Sequence, residues 1–206
     1  MTQSAPADPA QRRFLFLLGS TRREGNSELL ARRAAAHLPA GAEQRWLRLA
    51  DLPVPTFVDQ RHDGGHPEPT GNLRTLLDAT LDATDLVVVS PLYWYSVTTG
   101  VKQYLDHWSG WLRLPEADFK RRMAGRTMWA VTAMADRDPA RAEPLAGTLR
   151  ISADYLAMRW GGVLLGNGSR PGDVLTDTDA LRRAETFFTA DDAPEAARPA
   201  PAWATV

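Results

Sequence analysis

The sequence contains no cysteine. This absence excludes disulfides, thiolate zinc sites, iron–sulfur ligation and cysteine nucleophiles, and we interpret it as typical of a cytoplasmic protein. Long apolar runs are also missing. No stretch reaches the ~18 apolar residues that a membrane-spanning helix needs. The apolar run at residues 14–18 is too short for the core of a signal peptide, so we expect no membrane span.

The chain has little excess of charge of either sign. Its 206 residues include 24 basic and 25 acidic side chains, which leaves a formal net charge of −1 at pH 7. Proteins that bind nucleic acid present a basic face to the phosphate backbone. The balanced charge therefore argues against nucleic acid as the main partner, and the length suits a single domain.

Composition divides the chain into three parts. Residues 1–11 are small, polar and proline-containing, which predicts a disordered N-terminal arm. Residues 191–206 have a similar composition and predict a disordered or docking C-terminal tail. Between them, residues 12–190 are expected to form one domain. Within it, residues 51–70 are dense in proline and glycine and predict a long loop, a type of segment that often serves as a lid.

Apolar segments alternate with segments of helical periodicity through the central part of the chain. The predicted strands lie at residues 14–18, 44–49, 85–91, 127–134 and 161–168. The predicted helices lie at residues 28–38, 72–83, 101–112, 144–158 and 178–189. Most of these strands are continuously apolar, which indicates burial on both faces and hence a parallel sheet. We therefore predict an α/β fold with a five-stranded parallel sheet flanked by helices.

Ligands of such sheets bind beyond the carboxyl ends of the strands, near the point where the strand order changes direction. The first loop there is residues 19–27, "GSTRREGNS", which leads into a helix whose free N–H groups favour a phosphate. The loop is one residue too long for a Walker A motif, Asn26 replaces the lysine, and the dinucleotide motif G-x-G-x-x-G is missing. The hydrogen-bond donors of this loop predict a site for a single terminal phosphate, and FMN is one candidate ligand. These donors are Ser20, Thr21, Arg22, Asn26 and Ser27. The alternative is that Asn26 or Ser27 only caps the helix.

A second loop, "SPLYWYS" at residues 90–96, places three aromatic residues directly after a buried strand. A flat, apolar and polarisable wall at this position suits an isoalloxazine ring. Core packing or an interface is the alternative for an aromatic cluster. Because both loops are expected at one end of one sheet, a ligand site is favoured.

The segments "GSTRREGNSELL" and "PLYWYSVTTGVKQYLDHW" resemble motifs of the flavodoxin-like NADPH-dependent FMN reductase family, which includes NAD(P)H:quinone reductases. Weaker similarity in "MAGRTMWAVTA" and "WGGVLLGNGSRPGDV" extends the resemblance over residues 14–190. It implies a doubly wound, flavodoxin-like sheet with bound FMN. It also implies hydride transfer from NADPH or NADH to a quinone, an azo compound, free flavin or a similar acceptor, and a homodimer or homotetramer.

The resemblance also implies which residues contact the cofactor. The positions that match phosphate-binding residues are Ser20, Arg22, Asn26 and Ser27. The positions that match or adjoin the ring-lining stretch are Pro91, Leu92, Tyr93, Trp94, Tyr95 and Ser96, and the loop after the fourth strand adds Thr132, Ala133 and Met134. No catalytic side chain is expected, because the flavin N5 carries the chemistry. The segment at the end of the fourth strand has the sequence "TAMADRD", whereas many family members have a glycine-rich segment there.

Other interpretations remain open at this point. A non-enzymatic, flavodoxin-type electron carrier needs a charged docking face, which the balanced charge does not favour. A nucleotide-binding module without redox activity does not explain the aromatic loop. A zinc site at His62 and His66 is disfavoured, because the glycines between them argue against a helix. Since one pocket has to serve both electron donor and acceptor, we predict a ping-pong mechanism.

Overall fold

This computed structural model describes residues 12–62 and 66–189. The predicted N-terminal arm, residues 1–11, and the predicted C-terminal tail, residues 191–206, lie outside the described residues. No helix in the described ranges is long and apolar enough to cross a membrane.

The sheet has five parallel strands. They are β1 (Arg13–Leu18), β2 (Glu43–Arg48), β3 (Asp85–Val89), β4 (Thr127–Met134) and β5 (Arg159–Asn167). Their order in the sheet is β2-β1-β3-β4-β5. The chain builds outward from β1 to β2, then crosses to β3 and continues in the opposite direction. This doubly wound topology confirms the predicted fold and places the switch point between β1 and β3.

The helices are α1 (Asn26–Ala35), α2 (Gly71–Asp82), α3 (Thr99–Trp111), α4 (Phe119–Met123), α5 (Glu143–Tyr155) and α6 (Thr178–Ala184). The five predicted helices are present, with shifted ends. The five-residue α4 was not predicted, because it is too short to show a helical period.

Two helix ends differ from the prediction for identifiable reasons. Helix α1 stops at Ala35 rather than residue 38, just ahead of Pro39, which disfavours helical backbone at the residue before it. Helix α6 stops at Ala184 rather than residue 189. Phe187 and Phe188 follow in a turn, and both rings pack edge-on against Trp129. These two apolar side chains therefore reach the core from a turn rather than from a longer helix.

Each face of the sheet has its own core. Successive side chains of a strand point to opposite faces, so Leu15 and Leu17 of β1 pack with α2, α3 and α5. Phe14 and Phe16 pack on the other face with α1 and α6. Burial on both faces explains why β1, β3 and β4 are buried along almost their whole length and are mostly apolar, whereas the edge strand β2 begins with exposed polar residues.

The long segment after β2 packs along α3. Gln103 Nε2 donates hydrogen bonds to the carbonyls of Val54 and Pro55, at 3.1 and 3.0 Å. Phe57 stacks on His66 with ring centroids 5.6 Å apart. The described part of this segment therefore lies against the helix, and none of its residues lines the pocket at the switch point.

Candidate functional site

Four loops meet at the carboxyl edge of the sheet and enclose a pocket of about 270 Å³. They follow β1, β3, β4 and β5. The pocket is close to the lower end of the roughly 300–1,000 Å³ range of small-molecule sites. Its lining residues are Ser20, Arg22, Gly25, Asn26, Ser27, Glu28, Pro91, Leu92, Tyr93, Ala133, Met134, Ala135, Gly168 and Ser169. It lies at the switch point, where doubly wound sheets bind ligands.

The loop after β1 begins with a close approach to α3. The Gly19 N–H donates to the carbonyl of Val89, and Thr98 Oγ1 donates to the Gly19 carbonyl at 2.8 Å. A Cβ atom on Gly19 would lie 2.4 Å from Val101 Cγ2. Glycine is therefore required here for steric reasons, because only a residue without a side chain lets the start of the loop lie against the N-terminus of α3.

Backbone donors accumulate in this loop. Nothing in the described residues accepts a hydrogen bond from the N–H groups of Ser20, Thr21, Arg23 and Gly25. The first N–H groups of α1 have no intrahelical partner either, and the N-cap residue is Gly25, without a side-chain cap. This excludes the alternative that Asn26 or Ser27 merely caps the helix. The exposed guanidinium of Arg22 also has no partner within 12–62 and 66–189, so the loop presents positive potential to an anion.

Two of the predicted phosphate contacts hold other loops in place. Asn26 Nδ2 donates to the carbonyl of Arg170 at 2.9 Å, and Asn26 Oδ1 accepts from the Gly172 N–H at 3.0 Å. The buried Ser27 Oγ accepts from the Ala133 N–H at 3.0 Å. Both residues line the pocket. Asn26 has a second amide N–H and Ser27 has a hydroxyl O–H that these bonds do not use. Contact of either residue with a phosphate therefore stays a prediction.

The loop after β3 contributes a rigid wall and an exposed hairpin. Ser90 Oγ accepts from the Thr98 N–H at 3.0 Å, which closes the loop at its base. Tyr93 and Ser96 exchange two backbone hydrogen bonds, at 3.1 and 3.0 Å. The two residues between them, Trp94 and Tyr95, have positive φ angles of 49° and 64°, the pattern of a type I′ turn.

Only part of the predicted aromatic wall faces the pocket. Pro91, Leu92 and Tyr93 line it, whereas the side chain of Trp94 is 94% exposed. Tyr95 is half-exposed and, like Ser96, is not among the lining residues. The contribution of these three residues to the ring site therefore stays a prediction that the pocket geometry alone does not support.

The carboxyl end of β4 packs against α1. Thr132, Ala133 and Met134 were expected in the loop after the fourth strand, but they are the last residues of β4. Ala133 and Met134 line the pocket together with Ala135, and their contact with the cofactor stays a prediction. Thr132 is fully buried and lies outside the lining. Asn167 Nδ2 donates to the carbonyls of Met134, Ala135 and Asp136, so the end of β5 holds this loop in shape.

Sequence reasoning missed the loop after β5. Gly168 and Ser169 line the pocket, and the neighbouring Arg170 has a guanidinium without a partner in the described ranges. A Cβ on Gly168 would lie 2.9 Å from Asn26 Nδ2, so glycine permits the close approach to α1. The turn-rich segment "GNGSRPGD" was the available signal. It follows a predicted strand and so had to reach the same edge of the sheet.

The pocket chemistry fits FMN. Unpaired backbone donors and Arg22 at one side suit a phosphate dianion, and the wall of Pro91, Leu92 and Tyr93 suits a flat ring. The described residues contain no group of three histidine or acidic side chains placed to hold a metal ion.

Comparisons with known proteins agree with this geometry. The family model described as NADPH-dependent FMN reductase matches residues 12–150. A Bacillus subtilis (strain 168) protein named as an NAD(P)H-dependent FMN-containing oxidoreductase, YwqN, is 29% identical over 177 residues, which cover 85% of this chain and 96% of that protein.

Two solved structures show the same fold. The Trp repressor binding protein from Bacillus subtilis is 26% identical with a TM-score of 0.69, and the match covers 87% of this chain and 99% of that chain. The NAD(P)H:quinone oxidoreductase from Methanothermobacter marburgensis is 14% identical with a TM-score of 0.64, and the match covers 88% of this chain and 100% of that chain. Because the family model covers more than half of the sequence, the predicted resemblance is confirmed, and the chain belongs to the NADPH-dependent FMN reductase family.

Proposed function

We propose that this protein transfers hydride from NADPH or NADH to a small acceptor, such as a quinone, an azo compound or free flavin, with FMN held in the pocket at the carboxyl edge of the sheet. Family membership makes it an FMN-dependent NAD(P)H oxidoreductase. The observation that carries the location is the juxtaposition, in one pocket, of unpaired backbone donors and Arg22 with an apolar wall of Pro91, Leu92 and Tyr93.

The chain's own residues act by binding and alignment. FMN, when bound, supplies the N5 atom that accepts hydride. The titratable side chains among the lining residues are Arg22, Glu28 and Tyr93. Glu28 is already held in ion pairs with Arg32 and Arg48. The lining therefore offers no free carboxylate or imidazole to move a proton, and positioning of the reactants is its main contribution.

Donor and acceptor share one site in this proposal. The apolar wall adjoins a single pocket, and Pro91, Leu92 and Tyr93 lie on one loop. The two substrates then bind in turn at the same place, which is the condition for ping-pong kinetics.

We also propose a homodimer or homotetramer. Tyr93, Trp94 and Tyr95 are consecutive residues of the hairpin beside the pocket, and they are 58%, 94% and 50% exposed. Three large exposed aromatic side chains on one hairpin favour an interaction surface at this place.

The location of the phosphate site is tested with Arg22→Ala. Loss of a hydrogen bond to a charged group costs about 1.5–3 kcal/mol, so FMN affinity is expected to fall roughly ten- to a hundredfold. Riboflavin, which lacks the phosphate, is expected to bind wild type poorly and to be unaffected by the change. Quenching of flavin fluorescence measures both dissociation constants.

Arg33→Ala is the matched control, because Arg33 is an exposed arginine toward the other end of α1 and outside the pocket lining. It is expected to leave both affinities unchanged. Equal affinity of the wild-type protein for FMN and riboflavin would contradict the assignment of residues 20–27 to the phosphate.

A further inference from the structure

A buried ion pair lies behind the loop of residues 19–25. Arg48 is the last residue of β2, and Glu28 lies in the first turn of α1. Their side chains are only 7% and 4% exposed, and Arg48 Nη2 donates to Glu28 Oε2 at 2.6 Å. The two elements that carry this pair flank the loop.

The pair holds three backbone groups of that loop. Arg48 Nη1 donates to the carbonyl oxygens of Ser20 and Arg22, at 3.1 and 3.0 Å. Glu28 Oε2 accepts from the Glu24 N–H at 3.0 Å. Glu24 has a left-handed φ of 53°, which is uncommon for a residue with a side chain. The loop conformation is thus held from within the protein by two ionised side chains.

These contacts decide where the free donors of the loop point. In a planar trans peptide the C=O and the following N–H point in opposite directions. Because the carbonyls of Ser20 and Arg22 are turned toward Arg48, the N–H groups of Thr21 and Arg23 are turned away from it. Those two N–H groups have no acceptor among residues 12–62 and 66–189. Arg48 therefore keeps them available for a ligand.

The pair also sets the charge beneath the pocket. Glu28 lines the pocket, so its carboxylate would repel a bound phosphate. Burial raises the pKa of Glu28, but the hydrogen bonds from Arg48, Arg32 and the Glu24 N–H outweigh burial, and the pKa lies below its ordinary value. The carboxylate is therefore ionised near neutral pH. Arg48 supplies the buried positive charge that compensates it, and an unpaired buried charge is strongly unfavourable.

We propose that Arg48 is a positioning residue for the FMN phosphate, which it serves by orienting the backbone donors of residues 20–24 and by neutralising Glu28. This inference rests on the proposed function, in which residues 20–27 hold that phosphate. Arg48 does not itself line the pocket, and it acts through the lining residues Ser20, Arg22 and Glu28. Its effect is therefore expected in the preference for FMN over riboflavin rather than in the chemistry itself.

The test compares Arg48→Met, Glu28→Gln and the double variant in the FMN-free full-length protein. Arg48→Met is expected to weaken FMN binding about tenfold or more, the size of a lost charged hydrogen bond, with a much smaller effect on riboflavin. Glu28→Gln retains an acceptor for Glu24 and removes the repelling carboxylate, so it is expected to keep or raise FMN affinity and not to lower it. The double variant is expected to recover part of the lost FMN affinity, because the repelling carboxylate is gone.

Arg12→Met is the matched control. It breaks a partly buried ion pair with Asp85 at the amino-terminal end of the same sheet. It is expected to lower the melting temperature without changing the FMN-to-riboflavin ratio. If Arg48→Met does not fold, Arg48→Lys takes its place. Lysine keeps the charge but cannot reproduce the fork that binds two carbonyls, so an intermediate ratio is expected.

The outcomes separate this inference from the proposed function. A wild-type protein that prefers FMN, loses the preference with Arg22→Ala and keeps it in the Arg48 variants would overturn the role of Arg48 alone. Equal losses of FMN and riboflavin affinity in Arg48→Met, as in any destabilised variant, would also overturn it. A wild-type protein without preference for FMN would instead overturn the proposed phosphate site.

Discussion

Trp94 and Tyr95 occupy left-handed backbone conformations at neighbouring positions. For a residue with a Cβ atom this conformation costs roughly 1–2 kcal/mol, and type I′ turns normally use asparagine or glycine there. The side chain of Trp94 is 94% exposed, so little packing within the chain offsets the strain. Strain of this kind is often retained at functional sites, and the hairpin adjoins the pocket through Tyr93.

At this residue, Trp94→Gly is expected to stabilise the isolated chain by roughly 0.5–1 kcal/mol. The relief of the left-handed conformation exceeds the ~0.5–1 kcal/mol entropic cost of glycine. Trp94→Ala removes the ring but keeps the Cβ atom, so it is the control and should bring no gain. Thermal denaturation at low protein concentration measures both. A lower melting temperature for Trp94→Gly would contradict the argument from backbone strain. A difference in melting temperature that grows with protein concentration would instead indicate contacts of the indole with another copy of the chain.

At the scale of elements, the loop after β1 and helix α3 are held together through Gly19. The Gly19 carbonyl accepts from Thr98 Oγ1, and Val101 of α3 occupies the space that a side chain on Gly19 would need. The position of the loop relative to α3 thus depends on a contact between segments that are about 80 residues apart, not on the loop's own conformational preference.

Gly19→Ala is therefore expected to destabilise the protein by about 1–3 kcal/mol, the usual cost of overpacking, and to weaken FMN binding as the loop moves. Gly147→Ala is the control within helix α5, where an added Cβ meets no atom within 4 Å. It should stabilise the protein by ~0.5–1 kcal/mol, because alanine favours a helix over glycine. Urea denaturation and FMN titration measure the two effects. Normal FMN affinity in Gly19→Ala would contradict the steric argument.

At the scale of the whole molecule, one sheet edge gathers the candidate site from distant parts of the chain. Asn26 bonds the carbonyl of Arg170, and Ser27 bonds the N–H of Ala133. The Leu92 N–H of the loop after β3 donates to the carbonyl of Ala133. These three contacts join the segments that follow β1, β3 and β5 to the end of β4 around one pocket. In the proposed mechanism this pocket receives the electron donor and the electron acceptor in turn.

Steady-state kinetics test this shared site. Double-reciprocal plots of NAD(P)H oxidation at several quinone concentrations are expected to be parallel, because each substrate leaves before the next binds. Intersecting lines would show that both substrates are bound together and that a second binding site exists. An absence of turnover with every acceptor would favour a flavodoxin-type electron carrier.

The sequence by itself determined the five strands, the five longer helices and three of the four loops of the pocket. These features depend on residues that are close along the chain: the apolar runs of β1 and β3, the 3.6-residue period of the helices, and the loop motifs at residues 19–27 and 90–96. Because parallel strands bring their carboxyl ends to one edge, the location of the pocket followed from the same local signals.

The tertiary structure decided how individual side chains are used. Asn26 and Ser27 have the composition of phosphate ligands, but their hydrogen bonds to residues more than 100 positions away bind other loops to α1. The outward position of Trp94 and the arrival of Gly168 and Ser169 in the pocket depend on turn geometry and strand order. The burial of Arg48 against Glu28 depends on the packing of β2 beside the first loop. Such contacts are set by where the strands lie in the sheet, and no local pattern records that order.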